Sequence, residues 1–170
     1  MATTKTRQYL TYAVMTLGLT VLIPIMYHTI RQAQVYSFHA DRMFEEGQFE
    51  EAAKLYSAAL IGGLDTPILL RRLGDAYLSS GKFAMAVPVF IRLLQIEPDN
   101  QVAMLKLAKL YSLLNRTDEA LVLVERVLHD HPDWRIALIA RARVFTMASK
   151  FEEAIRDYRT VLHEKKGEIK

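Results

Sequence analysis

Cysteine is absent from this 170-residue chain, which excludes a disulfide framework and a cysteine nucleophile. The sequence also lacks a glycine-rich phosphate-binding loop and a nucleophile elbow, two motifs that identify many nucleotide-binding and hydrolytic enzymes. These absences predict a protein that is not an enzyme and that holds no cofactor.

A clustered run of basic residues is also missing, although the net charge is +3. Three of the 22 basic residues and none of the 19 acidic residues lie within residues 1–32, so the remaining 19 basic residues balance the acids. Nucleic-acid binding needs a concentrated basic footprint. The neutral charge of residues 33–170 therefore predicts no nucleic-acid partner.

Two short motifs resemble a metal site and a catalytic acid/base pair, but neither has the spacing that such a site needs. The sequence His-Asp-His at residues 129–131 lacks the further placed ligands that a metal site needs, and a histidine near a helix C-terminus is favourable for the helix dipole alone. Adjacent glutamates at 50–51 and 152–153 diverge by about 100° on a helix, so they do not form an acid/base pair. We expect no metal site and no catalytic residue.

A repeat organises most of the chain. The six-residue segment 47–52 recurs at 81–86 and, more loosely, at 115–120 and 149–154, always after 34 residues. These segments define four units, at 33–66, 67–100, 101–134 and 135–168. Within each unit, mostly apolar residues at positions 4, 7 and 11 form one helical stripe, and those at positions 17, 20, 24 and 27 form a second. A turn-tolerant residue near position 15 separates them: Gly47, Gly81, Asn115 and Ser149.

This period, spacing and choice of residue type resemble the tetratricopeptide repeat, a helix–turn–helix unit of 34 residues. The resemblance covers residues 33–168 and implies an all-α, superhelical array of four hairpins. It departs from the family at position 7, where His39 and Arg141 replace an apolar residue. The alternative is an ordinary helical bundle, which would not need equal spacing. The last helix, rich in charge from residue 152 to 159, is expected to act as a solvated cap.

The resemblance also implies a binding surface, because in this family the first helix of each unit lines a concave groove. When the groove positions of the family are carried over to this sequence, they hold a mixture of apolar and charged residues. Such a surface suits an extended or helical peptide that has apolar anchors and an acidic group. The alternative is that these charges are merely solvated. The basic clamp with which some relatives hold acidic chaperone tails is absent. The groove candidates are Ser37, Asp41, Arg71, Asp75, Leu78, Leu105, Lys109, Ile139 and Arg143.

Residues 9–30 carry no formal charge, apart from a protonated form of His28. A helix of this length spans about 33 Å, which predicts a transmembrane helix in contact with the lipid bilayer, after a short tail at 1–8. A cleaved signal peptide and a helix buried against the repeats are the two alternatives. The basic flanks, Lys5 and Arg7 against Arg31 and Arg42, favour the tail in the cytoplasm.

Together these features predict a scaffold anchored in a bacterial inner membrane, with the repeats in the periplasm and a partner segment in the groove. Such a scaffold would serve the assembly of an envelope or membrane complex. Two other functions stay open: a targeting receptor or co-chaperone that holds precursor proteins, and a structural subunit of a membrane complex.

Overall fold

Eight α-helices form the chain in a computed structural model, which describes the main chain of residues 2–167 and the side chains of residues 16–162. No strand occurs within the described range. The helices are α1 (Ala2–Glu45), α2 (Phe49–Ile61), α3 (Pro67–Ser79), α4 (Phe83–Ile96), α5 (Gln101–Leu113), α6 (Thr117–Asp130), α7 (Arg135–Met147) and α8 (Phe151–Gly167).

The turn inside each hairpin has the same backbone geometry in all four units. Position 15 adopts a left-handed conformation, with φ of 78° at Gly47, 74° at Gly81, 59° at Asn115 and 60° at Ser149. Glycine and asparagine adopt this conformation readily, which explains the residue types at this position. The amide of the next residue then donates to the carbonyl five residues earlier, at 2.8–2.9 Å in every unit.

Local capping also fixes where the first helix of a unit begins. The Thr66 hydroxyl accepts a hydrogen bond from the amide of Leu69, and Pro67 occupies the first turn of α3, where its missing N–H costs nothing. The Asn100 side chain accepts from the amide of Ala103 in the same way at the start of α5. Helices α3, α5 and α7 begin at the first residues of the second, third and fourth units.

Small residues at positions 8 and 20 bring the two helices of a hairpin together. Ala40 and Ala52 are both fully buried in the first unit, and Ala108 and Ala120 repeat this pair in the third. Each second helix also contacts the first helix of the next unit, so α2 packs on α3, α4 on α5 and α6 on α7. The core is therefore continuous along the stack of units, as expected of a helical-repeat array.

Helix α1 continues without a break from Ala2 through the first unit to Glu45. The apolar side chains from Leu17 to Tyr27 are 53–69% exposed, so this part of α1 is not buried against the repeats. The predicted alternative of a buried helix is therefore wrong.

The prediction of a membrane location is wrong as well. In the part of the chain that the structure describes, no helix is long and apolar enough to cross a membrane. The predicted bilayer contact of residues 9–30 thus has no support. The side chains of the tail and of residues 9–15 lie outside the described ones.

Candidate peptide-binding groove

A cavity of about 620 Å³ lies between the first helices of the third and fourth units. Helices α5 and α7 contact each other directly, and α8 contributes Tyr158 to one wall. Leu105 forms part of the floor and is only 9% exposed, whereas Val102 and Ile136 are more than half exposed at the edge. The apolar lining consists of Val102, Leu105, Ala108, Leu113, Trp134, Ile136, Ile139, Ala140, Val144 and Met147.

The lining reflects the register of the repeat. Positions 2, 5, 9, 12 and 13 of the third and fourth units all line this cavity. Because these positions share one face of a helix, two equivalent helices side by side present a continuous surface. Four of the predicted candidates lie together here: Leu105 and Lys109 from α5, and Ile139 and Arg143 from α7. Their role in binding a peptide stays a prediction.

Two cations stand beside this apolar floor. The side chains of Lys109 and Arg143 are exposed, and neither makes an ion pair or a hydrogen bond to another described side chain. Both occupy position 9 of their unit, where the first two units carry aspartate. The cavity therefore combines an apolar surface with unneutralised positive charge.

The aspartate at position 9 of the first unit is already engaged within the protein. Asp41 accepts a hydrogen bond from the Tyr56 hydroxyl at 2.5 Å and pairs with the Arg72 guanidinium of the next unit. Burial of Tyr56, and next its bond to Asp41, raises the pKa of this phenol. Asp41 thus joins three helices and does not lie in the cavity.

The aspartate of the second unit repeats this arrangement. Both carboxylate oxygens of Asp75 accept from the Lys106 ammonium, at 2.5 and 2.7 Å. The same ammonium lies 6.0 Å from the centre of the Phe90 ring. Asp75 therefore stabilises the junction between the second and third units, and its charge is neutralised on the groove side.

The remaining candidates lie outside the cavity. Arg71 is exposed, Ser37 is half-buried, and Leu78 is half-buried against the core. The structure therefore places four of the nine predicted residues at the cavity and two in ion pairs between units. The other three lie on the surface of the first and second units.

Sequence reasoning missed the pairs between units. An acid at position 9 and a base at position 6 of the next unit are 31 residues apart, as in Asp41–Arg72 and Asp75–Lys106. A second series connects residues 27 apart, Asp65 to Arg92 and Asp99 to Arg126. A search for opposite charges at a constant spacing across units could have found both series. Trp134 and Tyr158 were missed because they lie outside the positions that line the groove in this family.

Sequence reasoning also missed an ion pair between α7 and α8, two helices that contribute to the cavity wall. Arg141 donates to both oxygens of Asp157, at 2.8 and 2.7 Å. The hydrogen bond to this carboxylate raises the pKa of Arg141. Arginine at position 7 is therefore tolerated, because an acid on α8 satisfies its guanidinium; in this way the pair holds α7 against α8.

The His-Asp-His motif lies at the end of α6, away from the cavity floor. The imidazole of His129 lies 3.3 Å from Asp130, and the ring of His131 packs edge-on against Trp134, with 6.3 Å between the ring centres. In the described part of the chain, no three histidine, aspartate or glutamate side chains converge on a point that could hold a metal ion.

Equal helical hairpins, stacked in register and lined on one side by first helices, define a helical-repeat array. The sequence matches the tetratricopeptide repeat over residues 39–101 and again over residues 77–144. The chain belongs to the tetratricopeptide repeat family. Proteins of this family are in general scaffolds for protein–protein interaction and not enzymes.

Solved structures show the same fold at low sequence identity. A fragment of MamA from Desulfovibrio magneticus RS-1 is 20% identical, with a TM-score of 0.67 over 78% of this chain and 75% of that one. MamA MSR-1 is 19% identical, with a TM-score of 0.70 over 80% and 78%. YrrB, described as a repeat protein of this family with an unusual peptide-binding site, is 17% identical, with a TM-score of 0.69 over 92% and 89%. No curated protein sequence matches this chain.

Proposed function

We propose that this protein is an interaction scaffold that holds a segment of a partner protein in the cavity between α5 and α7. The segment carries apolar side chains that fill the cavity and an acidic group that reaches Lys109 or Arg143. The observation that carries this proposal is the combination of a cavity of about 620 Å³, an apolar floor and two cations that pair with no other described side chain.

Comparison of the unit junctions supports the location of the site. At the first two junctions, the position 9 acid is neutralised by a base at position 6 of the next unit. At the third junction these positions hold Lys109 and Ala140, so a cation replaces the acid and a methyl group replaces the base. The cavity lies at this third junction, where the internal ion pair is missing.

The size of the cavity also suits a peptide. Ligand cavities commonly measure about 300–1,000 Å³ and combine an apolar lining with a few polar groups. A helical segment would place apolar anchors at a spacing of three or four residues, whereas an extended segment would use alternate residues. The related fold of YrrB is described with a peptide-binding site, which supports a peptide ligand for this chain.

Selection from a random peptide library displayed on phage tests the proposal. We expect the full chain to enrich peptides in which an acid lies next to two or more large apolar residues. Lys109→Glu should weaken their binding by about tenfold, because it replaces an attraction with a repulsion beside an apolar surface. Arg156→Glu provides a charge-matched control, since Arg156 is exposed on α8 and does not line the cavity.

The variant Arg71→Glu measures how far the ligand extends. A peptide confined to the cavity should bind this variant as it binds the unaltered chain, because Arg71 does not line the cavity. Equal binding to Lys109→Glu and to Arg156→Glu would refute the proposed site. Enrichment of peptides without acids would refute the proposed ligand chemistry.

A further inference from the structure

The outer side of α8 exposes an apolar surface whose equivalent positions in the other units are buried or half-buried. This surface, called the end face below, consists of Phe151, Ile155, Tyr158 and Leu162, which are 58%, 41%, 37% and 65% exposed. The spacing of four, three and four residues places all of them on one side of the helix. The expected solvated cap is therefore wrong, because its charged residues leave this apolar stripe open.

The same positions are covered in the preceding units. Position 24 holds Tyr56, Phe90 and Val124, all at most 1% exposed, and in each case the first helix of the next unit packs on that second helix. Tyr158 at the same position of the fourth unit has no such neighbour in the described part of the chain. The end face is therefore a continuation of an interface that the fold already uses three times.

The burial pattern of the first helices shows which residue types a helix needs in order to dock on such a surface. Positions 3, 7 and 10 are 0–3% exposed in the second and third units, where a preceding unit covers them. They are open in the first unit, before which no other unit lies among the described residues: Val35 is 49% exposed, and His39 and Arg42 are exposed as well. Helices α3 and α5, each docked on a second helix, therefore present apolar residues at i, i+4 and i+7, whereas α7 carries Arg141 at i+4.

The register of polar contacts between units adds a charge requirement. Position 9 of one unit pairs with position 6 of the next, and position 25 meets position 11, as the hydrogen bond between the hydroxyls of Ser57 and Tyr77 at 2.9 Å shows. In the fourth unit these positions hold Arg143 and Arg159, both exposed. A docking helix would therefore need acids at i+3 and i+8, one on each side of its apolar stripe.

We propose that the end face binds an amphipathic helix of a partner protein, with apolar residues at i, i+4 and i+7 and acids at i+3 and i+8. A second copy of this chain does not fit this description. The equivalent positions of its first unit, 35 to 43, carry Phe38 at i+3, His39 at i+4 and Arg42 at i+7. His39 and Arg42 would place polar side chains against the apolar end face, and Phe38 and Met43 would offer no acid to Arg143 and Arg159, so this sequence disfavours a head-to-tail dimer.

A helical peptide copied from α5 provides the test. Residues 100–115 already carry apolar residues at i, i+4 and i+7, namely Ala103, Leu107 and Leu110. The acidic test peptide has Lys106→Glu and Tyr111→Glu, and the basic test peptide keeps the natural residues. Both are stapled between positions 105 and 109, away from the docking side, because short isolated helices are only marginally stable.

Fluorescence anisotropy with the full chain should show that the acidic peptide binds about tenfold more tightly than the basic one. Ile155→Glu should abolish this binding, whereas Val122→Glu, which alters an exposed residue away from the end face, should not change it. The double variant Arg143→Glu, Arg159→Glu should reverse the preference between the two peptides, because both acids of the acidic peptide then face acids, whereas Lys106 of the basic peptide faces one. This reversal keeps the test valid even if Ile155→Glu perturbs folding, because a loss of structure cannot exchange the order of two ligands.

Equal affinity for both peptides, or binding unaffected by Ile155→Glu, would overturn the proposal. Sedimentation that reveals a dimer, lost in Ile155→Glu, would overturn it in favour of a second copy. Tyr158 and Arg143 also line the cavity, so Lys109, which contributes to the cavity alone, distinguishes the two sites: Lys109→Glu should leave the binding of the acidic peptide unchanged.

Discussion

Gly74→Ala should destabilise the protein, although glycine is a poor helix former. Gly74 occupies position 8 of the second unit, where the other units carry alanine. A Cβ atom added there would lie 2.7 Å from both Cε2 and Cζ of Phe90. The Phe90 ring is fully buried, so it has no open space into which it could move.

Two opposing terms determine the size of the effect. Overpacking a well-packed core costs about 1–3 kcal/mol, whereas replacing glycine with alanine inside a helix gains about 1 kcal/mol. We therefore expect a net loss of about 1 kcal/mol in the free energy of unfolding. Urea titration followed by circular dichroism measures it, and the melting temperature should fall by about 2–4 °C.

A double-mutant cycle isolates the contact. Phe90→Val creates room at this position and reproduces the alanine–valine pair that Ala108 and Val124 form in the third unit. The double variant should therefore be more stable than the sum of the two single changes predicts, by about 1 kcal/mol. A stabilising Gly74→Ala, or strict additivity, would refute the close packing of glycine against the ring.

Three other changes test the polar contacts of the array. Asp157→Asn should cost about 2 kcal/mol in unfolding free energy, because it removes a bidentate charged contact and leaves Arg141 without its partner; replacing both residues with leucine should recover much of this loss. Asp75→Asn should cost about 1 kcal/mol at low salt and less at high salt, since the Lys106 pair is half-buried and partly screened. Tyr56→Phe should cost about 1 kcal/mol near neutral pH through its lost hydrogen bond. Because the pKa of Tyr56 is raised in the folded chain, its contribution is complete below the ordinary value of 10.0 and decreases as the pH rises further. The variant should therefore show a shallower loss of stability in alkaline urea titrations.

The repeat could be predicted from the sequence because its determinants are local. Gly47 and Gly81 mark turns that need a left-handed residue, and Pro67 marks the start of a helix. Alanine at position 20 allows two helices of one hairpin to approach, and that contact spans few residues. A constant period then extends these local rules to the whole array.

The charge balance of the groove could not be predicted from single positions. Asp41 and Asp75 occupy groove positions, yet each is neutralised by a base 31 residues later on another helix. At the third junction, Ala140 takes the place of the base and Lys109 the place of the acid, so Lys109 has no partner among the described side chains. A residue's availability for a partner therefore depends on the neighbouring unit, which the pattern within one unit does not contain.

The two ends of the array were also misjudged, for a related reason. Hydropathy predicted that residues 9–30 cross a membrane, whereas the structure contains no membrane-spanning candidate among the residues that it describes. Charge content predicted a solvated cap at α8, whereas Ile155 and Leu162 lie on one exposed stripe. Composition averages over all sides of a helix, but an interface depends on one side.

Hydrogen–deuterium exchange with a peptide selected on the full chain tests the central claim most directly. The account predicts that the bound peptide protects amides of α5 and α7, and that Lys109→Glu removes this protection. The amides of α2 and α4 should exchange as in the free chain. Protection confined to helices other than α5 and α7, or protection that persists in Lys109→Glu, would contradict a partner segment held in this cavity.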